Sequence, residues 1–482
     1  MSGNITNLEP QQVWKHFYAL TQIPRPSGHE KAVIDHVSQF AKSIQLEYSL
    51  DTAGNILIRK RACKGKESHK TIVLQAHVDM VPQKNSEKQH DFTKDPIQTV
   101  RDGDWVRADK TTLGADNGIG VAAALAVLES ENIQHGPLEV LLTVDEETGM
   151  DGAFGLSPEI LQAEILLNLD SEDEGELFTG CAGGVDADIT WVLDHQKMDN
   201  TLTFRIQLTG LKGGHSGIDI HLGRANANKV LLELIAALQE ECEAGIVHYQ
   251  GGDMRNAIPR ESEVILWVPE KHKDSFKRKV NEYSKTASLK FRNTDPELVI
   301  ELSEMRNDAE VISSATQKKI VNTLVNCANG PMAMSKFIPD VVQTSSNLSV
   351  VTISKNLAKA QLLIRSSDDG EKKQLAEQLK EQFQQSGAKV KLSGEYPGWQ
   401  PNADSAVLAR AKSTYKSLFG KEPLVKVIHA GLECGIIGGK YPAMDMISFG
   451  PTIRHPHSPD EKVHIGSVSK FWQFLVQLLE NL

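Results

Sequence analysis

Three short, largely apolar runs constrain this chain more than anything else in it. Residues 72–74, 138–143 and 165–169 have the length of strands. Each breaks off into polar chemistry: His77-Val78-Asp79 after the first, Asp145-Glu146-Glu147 after the second and Asp170 after the third. Apolar runs bounded by turn signals read as strands covered on both faces. A helical stretch over residues 121–129 lies between the first two. Strands alternating with helices specify an α/β domain with a largely parallel central sheet. Such sheets gather functional groups at the carboxyl ends of their strands, where His77, Glu146, Glu147 and Asp170 all fall. Residues two apart on a strand point to one side. His77 and Asp79 therefore leave the strand together, one able to hold a metal and the other to orient its imidazole.

The remaining chain arranges itself around this sheet. Residues 10–20 and 29–44 read as amphipathic helices joined by the turn IPRPSGHE, and residues 97–107 read as a hairpin turning at Asp102-Gly103-Asp104. The Gly-rich loop DKTTLGADNGIG carries Asp116 into the 121–129 helix, and residues 157–161 read as a short helix. After Gly183-Gly184 the texture changes to half-exposed strands such as residues 201–209 and to charged helices, the pattern of an α+β domain built from two related β-α-β units. Near Tyr396 the first texture returns and runs to RHPHSPDE. The organisation is therefore one α/β domain over residues 1–185 and 393–482, interrupted by an inserted α+β domain over residues 186–392. Two domains suit a chain of 482 residues.

Charge and cysteine usage narrow the function classes. A net charge of −11 argues against nucleic-acid or anionic-membrane partners. The most apolar segment, residues 119–128, is half the ~20 residues that a membrane helix needs and reads as a buried helix. Five scattered cysteines form no CxxC pair and no even framework, which suggests reduced thiols and a cytoplasmic protein. The N-terminal residues lack the basic and apolar blocks of a signal peptide.

His77, Asp116, Glu147, Asp170 and His457 supply two imidazoles and three carboxylates, without a thiolate, as suits catalytic rather than structural zinc. Five ligands exceed what one open zinc takes, but they suit two metals ~3.5–4 Å apart if one carboxylate bridges. Taken singly, each residue has an ordinary reading: a turn and helix cap for Asp116-Asn117-Gly118, a solvated acidic run for Asp145–Glu147. Their common placement at strand ends favours the metal site. Adjacent residues at a strand end should diverge, leaving Glu146 free for proton transfer.

HVDMVP, GADNG, DEETGMDGAFGL, the Asp after the third strand and HSPDE together resemble the M20 metallopeptidase family. RNAIP, HAGLECG, YPGWQPN and the chain length are similar to its aminoacyl-histidine dipeptidase branch (peptidase D, carnosinase-like). The resemblance covers nearly the whole chain. It implies a zinc-peptidase domain interrupted by a lid that also forms a homodimer. It further implies two Zn2+ per subunit, replaceable by Co2+ or Mn2+, with His77 and Asp170 on one ion, Glu147 and His457 on the other and Asp116 bridging. Asp79 would hydrogen-bond His77, and Glu146 would be the general base. His215 would stabilise the oxyanion, while Asn256 and Arg365 would meet the substrate's polar groups and carboxylate. The implied activity is hydrolysis of dipeptides, Xaa-His foremost. Related alternatives are a tripeptidase, a carboxypeptidase or an N-acyl-amino-acid amidohydrolase, and a more distant one is a non-catalytic dimeric binding protein.

Overall fold

A computed structural model describes residues 5–196, 201–305, 311–336, 338–354 and 356–482. The chain divides into two compact units. The first comprises Met1–Gly180, Trp399–Val427 and Leu432–Leu482; the second comprises Cys181–Gly398 and Ile428–Gly431. Ile428–Gly431 joins the second unit because Ala182 N–H donates to the Ile428 and Ala430 carbonyls and the His429 ring meets Ser345.

The first unit carries an eight-stranded sheet in the order Glu47–Leu50, Ile56–Lys60, Leu138–Thr143, Ile72–His77, Ile165–Asn168, Asp445–Ser448, Glu176–Cys181 and Leu424–Ile428. Its four central strands, Leu138–Thr143 to Asp445–Ser448, are parallel, and the strands before them pair antiparallel. The two strands Ile72–His77 and Leu138–Thr143 are buried at every residue, which is why they read as near-continuous apolar runs. The register sets His77 opposite Thr143 and Gln75 opposite Asn168, so the strands end side by side. The helix Ala115–Glu129 is apolar on all sides and buried over Ala115–Leu128. Lys60 Nζ caps its far end by donating to the carbonyls of Val127, Leu128 and Ser130 at 3.1, 2.9 and 2.5 Å, where the helix dipole is negative.

The hairpin Thr99–Asp102/Trp105–Ala108 has a further use. Trp105–Ala108 pairs with Lys462–His464, which pairs in turn with Ile453–Arg454. The seven residues between Arg454 and Lys462 become a hairpin loop, and that loop carries His457 and Glu461. One sequence expectation is overturned. The short helix lies at Asp151–Gly155, and residues 157–161 form none. Side chains take the backbone groups a helix would have used there. Arg59 Nη2 donates to the Ile160 carbonyl, the Tyr441 hydroxyl joins Ser157 O to Leu161 N, and Glu139 accepts from Gln162 and Ala163.

The second unit is built on a nine-stranded sheet in which every described pairing is antiparallel. Eight of its strands form two β-α-β-β-α-β sets. Thr201–Thr209, the helix Ala227–Glu241, Gly245–Gly251, Ser262–Pro269, the helix Lys273–Lys290 and Val299–Met305 form one, with strands in spatial order 4-1-3-2. Gly183–Val192, the helix Ser314–Asn326, Val342–Ser354, Leu357–Ser366, the helix Asp369–Gln385 and Lys389–Tyr396 form the other, in order 2-3-1-4. This is the split βαβ arrangement twice over. The first set is nested inside the second, between its first strand and its first helix.

Candidate metal centre

His77 is the last residue of its strand. Its Nδ1 lies 3.2 Å from Asp79 Oδ1, and its Nε2 lies 3.2 Å from Asp116 Oδ1 and 3.3 Å from Asp170 Oδ1. Asp79 is wholly buried and does more than face the imidazole. It accepts the Ser27 hydroxyl at 2.8 Å and the backbone N–H groups of Glu146 and Glu147 at 3.1 and 3.2 Å. That grip corrects the expectation that Glu146 and Glu147 diverge. The chain leaves strand geometry at Thr143, Asp145 turns it at φ 56°, and both carboxylates come within 4.8 Å of each other and of the His77 ring. Burial alone would raise the Asp79 carboxyl, but the His77 ring, Ser27 and the Glu147 amide hold it at about 2.

Asp116 sits at the start of the Ala115–Glu129 helix, where the Asp116–Asn117 peptide is cis. Two buried side chains that the sequence reading passed over hold it there. Glu461 Oε2 accepts from Leu113 N and Gly114 N at 2.7 and 2.9 Å, and Oε1 accepts from Ala115 N and Asp116 N at 2.7 and 3.3 Å. Four orphan amides at a helix N-terminus thus share one carboxylate from a distant loop. Arg25 Nη1 donates to the Val78 and Asp79 carbonyls at 2.7 and 3.0 Å, and its Nη2 donates to the Gly114 carbonyl at 2.5 Å. Gly114 is at φ +69°, and a Cβ there would stand 2.6 Å from Arg25 Nη2, so only glycine fits. IPRPSGHE therefore supplies Arg25 and Ser27 as well as a turn.

Asp116 faces two ways. Its Oδ1 lies toward His77, and its Oδ2 lies 3.4 Å from His457 Nε2, which is 2.9 Å from Glu147 Oε2. Two triads result, His77–Asp116–Asp170 and Asp116–Glu147–His457, each with donor atoms within 4.8 Å of one another. Glu146 Oε2 stands 3.9 Å from His77 Nε2.

The donor set calls for positive charge. Burial first, then Asp170, Glu147 and Glu433, push the Glu146 carboxyl well above its ordinary range against the pull of His77. Burial, with Asp116 and Glu147, lifts Asp170 to about 6. Hydrogen bonds that the His457 ring donates to the Asp116 and Glu147 carboxylates raise it to about 11. Buried carboxylates paired with imidazoles that cling to protons form a site that divalent cations would neutralise. Glu147 Oε1 is buried without a hydrogen-bond partner, and buried Asp170 Oδ1 has only the His77 ring beside it at 3.3 Å. Nitrogen and oxygen donors in two triads with a shared carboxylate fit a pair of such ions.

In the second unit, His215 lies on the short strand Gly214–His215, paired with Ala257–Ile258. Its Nδ1 accepts the N–H groups of Gly217 and Ile218 at 3.1 and 3.0 Å, so the proton of the neutral ring belongs on Nε2. Arg365 is buried on the strand Leu357–Ser366 and donates through Nη1 to the Tyr396 hydroxyl at 2.8 Å. Asn256 is exposed, and its carbonyl accepts from Ser216 N at 2.8 Å. His429, which lies in HAGLECG, carries no sequence pattern that marks it as functional. Its Nε2 is 2.7 Å from Ser345 Oγ, and a Cβ on Gly217 would meet its carbonyl at 1.9 Å.

Burial, then the charge of Arg365, lowers His215 to about 4 and His429 to about 3. Both rings are therefore neutral when folded, while in the unfolded chain they take protons near pH 6.5. The unfolded state binds more protons between those values. The stability linked to these rings is complete above pH 6.5 and is lost as pH falls toward about 4. Between pH 7 and 5 the thermal midpoint of His429→Gln should drop less than that of the wild type, by roughly 2–4 °C. Equal drops in calorimetric scans would show that His429 is not desolvated.

No helix among the described residues is long and apolar enough to cross a membrane. A family model described as Peptidase family M20/M25/M40 matches residues 73–481. The cytosol non-specific dipeptidase of Escherichia coli (strain K12) is 46% identical over 481 residues, covering 100% of this chain and 99% of its own. Among solved structures, the aminoacylhistidine dipeptidase of Vibrio alginolyticus matches with a TM-score of 0.94 and 45% identity over 99% of this chain and 98% of that one. The aminopeptidase PepT of Bacillus cereus ATCC 10987 shares the fold alone, with a TM-score of 0.57 and 17% identity over 98% of this chain and 99% of that one. A family match over most of the chain, with a full-length relative at 46% identity, means that the chain belongs to peptidase family M20/M25/M40.

Proposed function

We propose that this protein is a cytoplasmic two-metal dipeptidase with a preference for Xaa-His, and that Zn2+ is its native metal. The observation that carries the reading is Asp116, whose two oxygens face two different triads. His77 and Asp170 would hold one ion, Glu147 and His457 the other, and Asp116 both. The relatives named for dipeptide and aminoacylhistidine hydrolysis, one of them a cytosol enzyme, support the substrate class and the compartment.

When bound, the ions supply Lewis-acid polarisation of the scissile carbonyl and acidify water. Asp79 keeps the His77 Nδ1 proton engaged, so that Nε2 offers its lone pair. Glu146 takes the proton of the attacking water and returns it to the leaving amine as the C–N bond breaks. From the second unit, which we read as a lid and dimerisation domain, His215 offers an Nε2–H donor to the oxygen that gains charge in the transition state. Arg365 and Asn256 would meet the substrate's carboxylate and polar groups.

The test is a metal analysis and an initial-rate panel on one purified sample. We expect two ions per chain, loss of activity to a chelator and its return with Zn2+, Co2+ or Mn2+, and turnover of Gly-His and carnosine ahead of other dipeptides. Faster cleavage of a tripeptide or an N-acetyl amino acid would replace the dipeptidase reading with a neighbouring M20 activity. A metal-free, inactive protein would leave a dimeric binding protein, and light scattering tests the dimer itself.

A further inference from the structure

Outside the two triads, a continuous chain of buried side chains crosses the four parallel strands. Ser171 Oγ lies 2.6 Å from Ser448 Oγ, which donates to Asn168 Oδ1 at 2.5 Å. Asn168 Nδ2 donates to Gln75 Oε1 at 2.5 Å, and Gln75 Nε2 donates to Glu433 Oε2 at 2.5 Å. The Thr143 hydroxyl closes the chain by donating to the same Glu433 oxygen at 2.8 Å. Gln75, Thr143, Asn168, Glu433 and Ser448 have no solvent-exposed surface.

The members of this chain sit at the roots of the candidate ligands. Gln75 precedes His77 by two residues on one strand and so shares its face. Thr143 ends the strand that leads to Glu146 and Glu147. Asn168 precedes Asp170 by two residues and also accepts the Asp170 N–H at 3.3 Å. Glu433 opens the helix Glu433–Lys440, and its other oxygen, Oε1, is buried without a partner. A carboxylate is a costly way to terminate such a chain, since neutral or apolar groups of similar size would satisfy the same core. Fully buried polar networks do, however, select one arrangement among near-equal packings. Metal and catalytic groups need such support to hold their spacing.

We propose that Glu433 is a positioning residue that, through Gln75 and Thr143, sets the separation of the strand ends bearing His77 and Glu146–Glu147. The inference rests on the two-metal reading above. Glu433 touches neither the substrate nor the ligands in this role; it acts through its two partners.

The test compares Glu433→Gln, Glu433→Ala, Gln75→Ala and the double alanine variant in the full chain. Zn2+ and Co2+ titrations give the metal affinity, and rates on Gly-His at saturating metal give kcat and KM. Glu433→Ala and Gln75→Ala should each lose roughly tenfold or more in metal affinity or kcat, with KM nearly unchanged. The double variant should be no worse than the poorer single variant, because both break the same chain. Glu433→Gln keeps an oxygen for Gln75 and Thr143 and should stay within roughly threefold of the wild type. If Glu433→Ala does not fold, Gln75→Ala set against Glu433→Gln carries the comparison. Unchanged metal affinity and kcat beside a lowered thermal midpoint would make the chain merely structural and overturn the proposal, as would multiplying losses. Metal titration reads the spacing whatever the substrate, whereas a wild type that binds no metal refutes the two-metal reading itself.

Discussion

Glu146→Gln should yield a folded protein that retains both metal ions and hydrolyses dipeptides roughly 10²–10⁴-fold more slowly, the usual contribution of a positioned proton-transfer group. In barrier terms this is about 3–5 kcal/mol. The amide keeps the volume of Glu146 and its place 3.9 Å from the His77 ring, but it can neither take the water proton nor return it. Glu146 belongs to neither of the triads that share Asp116, so its loss should spare the metals. The measurement is kcat/KM on Gly-His beside metal content on the same preparation. Near-normal turnover would remove Glu146 from the reaction. Lost metal would recast it as a ligand, an outcome its approach to both His77 and Glu147 makes worth checking.

The second large effect is expected far from the substrate. Glu461→Ala strips the acceptor from four backbone N–H groups at the start of the Ala115–Glu129 helix. It also removes the largest of the carboxylate charges that offset the buried Arg25 guanidinium, leaving Asp79, Asp116 and Glu147. Breaking a buried charged arrangement on one side typically costs about 3–5 kcal/mol. We expect the thermal midpoint to fall by at least several degrees and metal retention to fall with it, since the freed amides belong to the turn that aims Asp116. Glu461→Gln should help little, because its NH2 group would face amide donors where an oxygen is needed. Denaturant unfolding, with metal content measured in parallel, decides the matter. A Glu461→Ala protein with wild-type stability would mean that water replaces the carboxylate at no cost.

Three of the candidate ligands, His77, Glu147 and Asp170, were legible because strand ends announce themselves, whereas Asp116 opens a helix and His457 lies on a hairpin loop, not at strand ends. An apolar run that stops at His, Glu or Asp places that side chain at the rim of a parallel sheet whatever the rest of the chain does. The supports were not legible. Arg25 lay in a Pro- and Gly-rich turn, and Glu461 in an acidic surface-like loop. Only a helix N-terminus and a set of carbonyls brought near in space tell either of them apart from ordinary exposed charges. Glu433 is hidden for the same reason, since its partners Gln75 and Thr143 are distant in sequence.

The repeat in the second unit shows a different limit. Its two β-α-β-β-α-β sets have mirrored strand orders, yet the second is split by the whole of the first. Linear comparison has no continuous copy to align, and antiparallel partners at an edge and in the middle obey different burial patterns.

By itself, the sequence determined the alternation of strands and helices, the apolar runs of a doubly covered sheet and the chemistry standing at their ends. These are local properties of period and composition. Only the tertiary structure decided that Glu146 and Glu147 converge rather than diverge, because Asp79 draws both of their amides to one carboxylate. It also decided that the 157–161 segment is not helical, and that a loop held on a hairpin from the other end of the chain closes the site with His457. Those outcomes depend on which distant groups satisfy a buried donor or acceptor, and no local pattern carries that information.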